Sequence, residues 1–291
     1  MRLRLHTFAD SARGARDLAT HLGTAPPALV EVHRFPDGET LVRVAAPVAR
    51  HAVLVRSLFD PNTKLIETVL AADALRRSGA HTVTLVAPYL PYMRQDAVFR
   101  AGEPISQRVI GSLLRRAFDR VLTVEPHLHR TRHLAETFGR GARALSAAPV
   151  LAEWLRRAEG DILIVGPDSE SEPWVRAIGR AAHRPWVFGS KQRLADRSVR
   201  IHFPPLPATT RAVIVDDIAS SGATLAVAAR ALRRAGIRTV DAIVVHAIFT
   251  PGALARIRAA GVRRIVSCDT VPHPTNRIAT APLLAAALAA R

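Results

Sequence analysis

Apolar positions in this chain fall into short runs rich in β-branched residues, separated by longer stretches with helical spacing. Residues 30–35, 51–58, 82–90 and 120–127 read as strands. Residues 62–79 read as a helix, apolar at Leu65, Ile66, Val69, Leu70 and Ala74 and closing at Gly79, and residues 105–117 as another. The same grammar recurs further on. Helices at 148–158, 172–182, 223–236, 251–261 and 282–290 alternate with strands at 161–168, 184–190, 211–217, 239–249 and 263–269. Alternating βα units predict parallel sheets with helices on both faces. The expected fold is α/β: two similar doubly wound domains with mainly parallel sheets, residues 1–145 and 146–291.

One segment stands out chemically. Residues 212–215 form an apolar run that reads as a buried parallel strand, with Asp216 and Asp217 at its C-terminal end. Ser220, Ser221, Gly222, Ala223 and Thr224 follow, small and hydroxyl-rich, and open into an apolar helix from Leu225. Amides at a helix N-terminus favour an anion, and small side chains let it come close. The paired acids stand where sugar hydroxyls or a hydrated Mg²⁺ need acceptors. A plain helix cap gives a similar string, though it does not require two acids and a row of small residues. Ligands of open parallel sheets gather beyond the C-terminal ends of strands. The polar strings at 125–129, 166–172 and 189–193 fall at such ends as well.

Composition narrows the class. With one cysteine, Cys268, the chain has no internal disulfide and no Cys-based zinc site, which points to a reducing, cytoplasmic setting. The N-terminal string lacks an apolar signal core, and no uncharged stretch approaches the roughly 20 residues that span a bilayer. A net charge of +17 invites a nucleic-acid reading, but the arginines are spread over the whole chain and aromatic residues make up only 5%. Neither nucleic acid nor membrane is expected as a partner. Arginine dominates so heavily that the two lysines, Lys64 and Lys191, become candidates for specific roles.

The segment around Asp216 resembles the phosphoribosyl-diphosphate signature of type I phosphoribosyltransferases and ribose-phosphate diphosphokinases. Further strings choose between them. "RFPDGETLVRV" from Arg34, "PYLPYMRQD" from Pro88, "EPIS" from Glu103, "RVLTVEPHLH" from Arg120, "SAAPVLAEWL" from Ser146, "VGPD" from Val165 and "KQR" from Lys191 occur in the order typical of the diphosphokinases. The resemblance to that family covers nearly the whole chain. It implies a two-domain, phosphoribosyltransferase-like enzyme, with the ATP side in residues 1–145 and the ribose 5-phosphate side in 146–291. The β,γ-diphosphoryl group of Mg-ATP would pass to the C1 hydroxyl of ribose 5-phosphate, and AMP would leave.

Residue by residue, the resemblance assigns Phe35, Asp37 and Glu39 to ATP across a subunit interface, so a homo-oligomer is implied. Arg94, Gln95 and Asp96 are likewise assigned to ATP, and His127 and Asp168 to Mg²⁺. Lys191 and Arg193 match a catalytic Lys–x–Arg pair. Asp216, Asp217, Ser220, Ser221, Gly222, Ala223 and Thr224 match the ribose 5-phosphate loop. Three places depart from the family pattern. "SESEPW" after Asp168 brings extra acids and no glycine, "EPHLHR" replaces the commoner run around His127, and Ser220 and Ala223 stand where Asp and Gly are usual. The "SESEPW" departure keeps open a non-catalytic or regulatory homologue that binds nucleotide beside a true synthetase. The other alternative is a phosphoribosyltransferase using the same loop on a preformed diphosphate, against which the ATP-side strings argue.

Overall fold

The computed structural model describes residues 3–128, 130–193 and 199–290, and the chain divides into two units. Met1–Leu145 and Thr280–Arg291 form the first, and Ser146–Ala279 the second. Residues 280–291, expected in the second domain, thus belong with the first. Their helix α9 (Ala281–Ala289) packs on α1 (Ala12–Leu22).

In the first unit the strands are β1 (Leu3–Thr7), β2 (Ala28–Arg34), β3 (Thr40–Val44), β4 (His51–Val55), β5 (Thr82–Ala87), β6 (Arg120–Val124) and β7 (Ala142–Leu145). They form one sheet in the order β3-β2-β1-β4-β5-β6-β7. All pairs are parallel except the β2–β3 hairpin. Helices α2 (Pro61–Arg77), α3 (Ser106–Ala117) and α4 (Ala135–Phe138) complete the unit. The residues of β4 and β5 are buried almost throughout, as a parallel sheet covered on both faces demands. Pro61 opens α2, where its missing N–H costs nothing, and Leu65, Ala71, Ala72 and Leu75 bury its inner face.

The strand β1 and the helix α1 were not anticipated from the pattern of apolar positions. At the inner end of β1 the core positions are His6 and Thr7, both fully buried. Thr7 Oγ1 donates to the Val55 carbonyl at 2.9 Å, and burial, aided by Arg4, pushes His6 down to about 4, so it enters the core uncharged.

The second unit holds a parallel sheet in the order β15-β14-β13-β12-β8-β9. Its strands are β8 (Leu163–Gly166), β9 (Trp186–Phe188), β12 (Arg211–Ala219), β13 (Thr239–Ala247), β14 (Val262–Cys268) and β15 (Asn276–Ile278). A separate antiparallel pair, β10 (Ser190–Arg193) and β11 (Val199–His202), lies between β9 and β12 in the chain. Helices α5 (Ala148–Arg156), α6 (Glu172–Ala182), α7 (Ala223–Arg234) and α8 (Ala253–Ala259) join the strands. At the opposite end from the site, buried Asp241 of β13 bonds Arg211 of β12 and Arg263 of β14.

Both sheets have a point where the strand order reverses. From β8 the chain builds outward to β9 and then returns to β12 on the other side; from β1 it builds to β2 and returns to β4. Such switch points open a crevice at the strand ends. No helix among the described residues is long and apolar enough to cross a membrane.

Candidate active site

Strand β12 runs further than the sequence pattern indicates. Asp216 and Asp217 lie within it, because β13 continues alongside and pairs as far as Ala219 with Ala247. On the other side, pairing with β8 stops at Ile214, so the acids sit where the crevice begins. Asp216 Oδ1 accepts the Asp217 amide at 3.1 Å, and Asp217 Oδ1 accepts the Ile218 amide at 2.7 Å. Burial pushes the Asp216 carboxyl well above the usual carboxylate range, and the negative charges of Asp217 and Asp168 push it further. The Asp217 amide and Lys191 only partly offset this. Three carboxylates and one lysine, drawn from β10, β12 and the turn after β8, thus share one electrostatic neighbourhood.

The loop beyond is held from behind. The Thr250 amide donates to the Ser220 carbonyl at 3.2 Å, and Arg256 Nη1 to the Ser221 carbonyl at 2.8 Å. Gly222 adopts a left-handed φ of +73°, and a Cβ there would stand 2.7 Å from Ile257 Cγ1 of α8. Helix α7 then starts at Ala223, where the helix expected over residues 223–236 begins. Ser220, Ser221, Ala223 and Thr224 are exposed or half-buried around this turn. Thr250 and Arg256 were not singled out from the sequence; they lie after a strand end and on an arginine-rich helix, and nothing local distinguishes them.

Asp168 follows β8 and caps a short 3₁₀ turn, Ser169–Ser171. It accepts the Ser171 amide at 3.3 Å, while Ser171 Oγ donates to the Asp168 carbonyl at 2.5 Å. The turn folds over Gly166, where any Cβ would collide with Ser171. This is how "SESEPW" is accommodated. Glu172 opens α6 and pairs with Arg176 one turn on. Lys191 lies exposed on β10, opposite Ile201 of β11, and so occupies one arm of a hairpin. Arg193 ends β10; its side chain lies outside the described residues.

The remaining candidates belong to the first unit. Phe35, Asp37 and Glu39 form the tip of the β2–β3 hairpin, closed by the Phe35 amide on the Glu39 carbonyl at 2.8 Å. Asp37 Oδ1 accepts the Glu39 amide at 3.1 Å, and Phe35 packs edge-on against His33. Arg94 is exposed. Gln95 is tied by its side chain to Ser106 at 2.5 Å and Glu103 at 3.5 Å. Burial alone would raise Asp96, but the Arg130 amide and guanidinium bind it and hold it below the usual range. His127, three residues beyond β6, is half-buried. The two expected metal residues therefore fall in different units. Among the described residues, no three His, Cys, Asp or Glu side chains are arranged to hold a metal ion by themselves.

Residues 3–117 match the N-terminal domain of ribose phosphate pyrophosphokinase, and residues 140–270 match the phosphoribosyl transferase domain. The ribose-phosphate pyrophosphokinase of Methanopyrus kandleri is 35% identical over 284 residues, 96% of each chain. The chain belongs to the ribose-phosphate pyrophosphokinase family. A relative with the same designation from Thermococcus kodakarensis is 33% identical over 256 residues, 88% of this chain and 90% of that one. The crystal structure of phosphoribosylpyrophosphate synthetase from Mycobacterium smegmatis superposes with a TM-score of 0.85 at 26% identity, covering 99% of this chain and 98% of that one. This pyrophosphokinase-family chain is thus an enzyme of two phosphoribosyltransferase-type α/β units, and Asp168, Lys191, Asp216 and Asp217 all lie within its phosphoribosyl transferase match.

Proposed function

We propose that the protein transfers the β,γ-diphosphoryl group of ATP to the C1 hydroxyl of ribose 5-phosphate, giving phosphoribosyl diphosphate and AMP. The observation that carries this reading is the meeting of Asp168, Asp216, Asp217 and Lys191 beside a glycine-containing loop at a helix start. Residues 220–224 offer amides and hydroxyls to the 5-phosphate, and Asp216 and Asp217 offer acceptors to the ribose hydroxyls. Lys191, with Arg193, stands to neutralise charge that grows on the transferring group, where a positioned cation acts most strongly. ATP falls to Phe35, Asp37, Glu39, Arg94, Gln95 and Asp96, of which Arg94 offers a fork suited to phosphate.

Mg²⁺ fits the donor set. Asp168, Asp216 and Asp217 supply hard oxygen ligands whose mutual repulsion a cation would relieve, and Mg²⁺ commonly takes one or two carboxylates together with substrate phosphates. When bound, it would neutralise phosphate charge; His127 is its candidate on the nucleotide side. A homo-oligomer belongs to the same proposal. The hairpin that carries Phe35 exposes Leu29, Val32 and Leu41 as well, an apolar surface suited to a second copy. A cytoplasmic setting fits the single buried cysteine.

One observation favours the regulatory alternative. In the turn after Asp168, the Asp168 and Ser171 amides and the Ser171 hydroxyl bond to one another's groups within the turn. Purified protein incubated with ATP, Mg²⁺ and ribose 5-phosphate decides the matter. AMP, together with a new diphosphate ester at C1 in the phosphorus NMR spectrum, is the expected result. No AMP at any magnesium or phosphate concentration, with ATP still bound, would overturn the catalytic reading.

A further inference from the structure

We infer that Arg256, on α8, is the positioning residue that sets the peptide orientation of the ribose 5-phosphate loop. The inference rests on the reading of residues 220–224 as the cradle for the 5-phosphate. In a planar trans peptide the carbonyl and the N–H point in opposite directions. The carbonyl of Ser220 is taken by the Thr250 amide at 3.2 Å and that of Ser221 by Arg256 at 2.8 Å. The N–H groups of Ser221 and Gly222, at the other ends of these two peptides, therefore turn away from Thr250 and Arg256. Two successive amides aimed the same way, beside a left-handed residue, make a concave anion-binding nest.

The loop cannot hold this orientation alone. Gly222 tolerates several backbone conformations at little cost, so the 221–222 peptide is free to rotate unless something grips its oxygen. A rotated peptide would present a carbonyl to the phosphate instead of an amide. Helix α8 blocks one route, since Ile257 and the Ala253 carbonyl fill the space behind Gly222. Arg256 supplies the grip. Among the described residues its guanidinium has no carboxylate partner, and its one side-chain hydrogen bond goes to that carbonyl.

The test is steady-state kinetics on the full chain. Arg256→Met is expected to raise the KM for ribose 5-phosphate about tenfold, the usual worth of one charge-assisted hydrogen bond. Neither kcat nor the KM for ATP should change more than about twofold, within the scatter of such effects. Arg256→Lys, which still reaches the carbonyl, should restore most of the loss. The ratio of mutant to parent KM should persist in about 0.5 M salt, where a purely through-space attraction is screened. An unchanged KM for ribose 5-phosphate, a ratio that collapses in salt, or an equal fall in every parameter would overturn the inference. Gly222→Val separates the two levels of argument. If it leaves ribose 5-phosphate binding by calorimetry intact, the cradle reading itself fails. If it abolishes binding while Arg256→Met behaves as the parent, only the role of Arg256 falls.

Discussion

The two switch points of this molecule are built on the same plan and finished in opposite ways. In the first unit, the crevice between β1 and β4 is filled by acids that each meet a basic side chain. Buried Arg56, just after β4, bonds Glu67 of α2 at 2.6 Å and Asp10 at 3.2 Å, and lies 3.6 Å over the ring of Phe8. Lys64 adds a bond to Asp10 at 3.2 Å and another to the Ser57 carbonyl. In the second unit, the crevice between β8 and β12 gathers Asp168, Asp216 and Asp217 with Lys191 as the partial counterweight. The electrostatic surroundings of Asp10 and Asp216 differ accordingly. Burial alone would raise Asp10, yet Arg56 and Lys64 hold it below the usual range, whereas burial and its acidic neighbours leave Asp216 well above. A neutralised crevice stabilises the fold. One with unspent charge retains free energy for a ligand, and strongly perturbed groups gather at such sites.

The two lysines offer the sharpest way to break this comparison. Lys191→Ala should lower kcat by about 10²–10³-fold, in the range seen on removing a positioned charge-stabilising donor, with ribose 5-phosphate affinity nearly intact. Lys64→Ala should leave kcat close to that of the parent. Similar losses in both variants would erase the distinction between the crevices.

A second test addresses stability. Glu67→Ala leaves the Arg56 guanidinium buried beside a single half-buried acid, and should cost about 3 kcal/mol in urea unfolding, as broken buried pairs do. A loss under about 1 kcal/mol would place this cluster with ordinary surface pairs.

The smallest effect sharpens the contrast through pH. Asp10 is held below its unfolded value, so its stabilising contribution is present above the ordinary carboxylate range and fades as pH falls through the depressed value. Asp216 has the reverse sign. Its native form binds the proton more tightly than the unfolded chain, so stability is lost as pH rises from about 4 through the raised value. At neutral pH without divalent cation, Asp10→Asn should therefore lower the thermal midpoint and Asp216→Asn should raise it. In acid both differences should shrink. Identical signs at neutral pH would contradict the assignment of the two crevices.

Much of this was legible without coordinates. The βα alternation, the boundary near residue 145 and the loop from Asp216 to Thr224 follow from local rules: apolar periodicity, glycine placement and the chemistry of small residues. Local rules failed at β1 because its innermost positions are His6 and Thr7, polar residues that only burial makes core-like. They failed at residues 280–291 because the choice of unit depends on which face the helix packs against, here α1. The acids looked like a strand end, but β13 carries the pairing on to Ala219.

The sequence by itself determined the class of fold, the family and the small-residue loop after Asp217, since each is written in short local strings. Only the tertiary structure decided which charges are spent. Local context set Asp216 and Lys191 apart from Asp10 and Lys64, but not which of the four meet an opposite charge. What decides that is the set of groups that folding brings within a few ångströms, and charge interactions are set by distance and burial rather than by order in the chain.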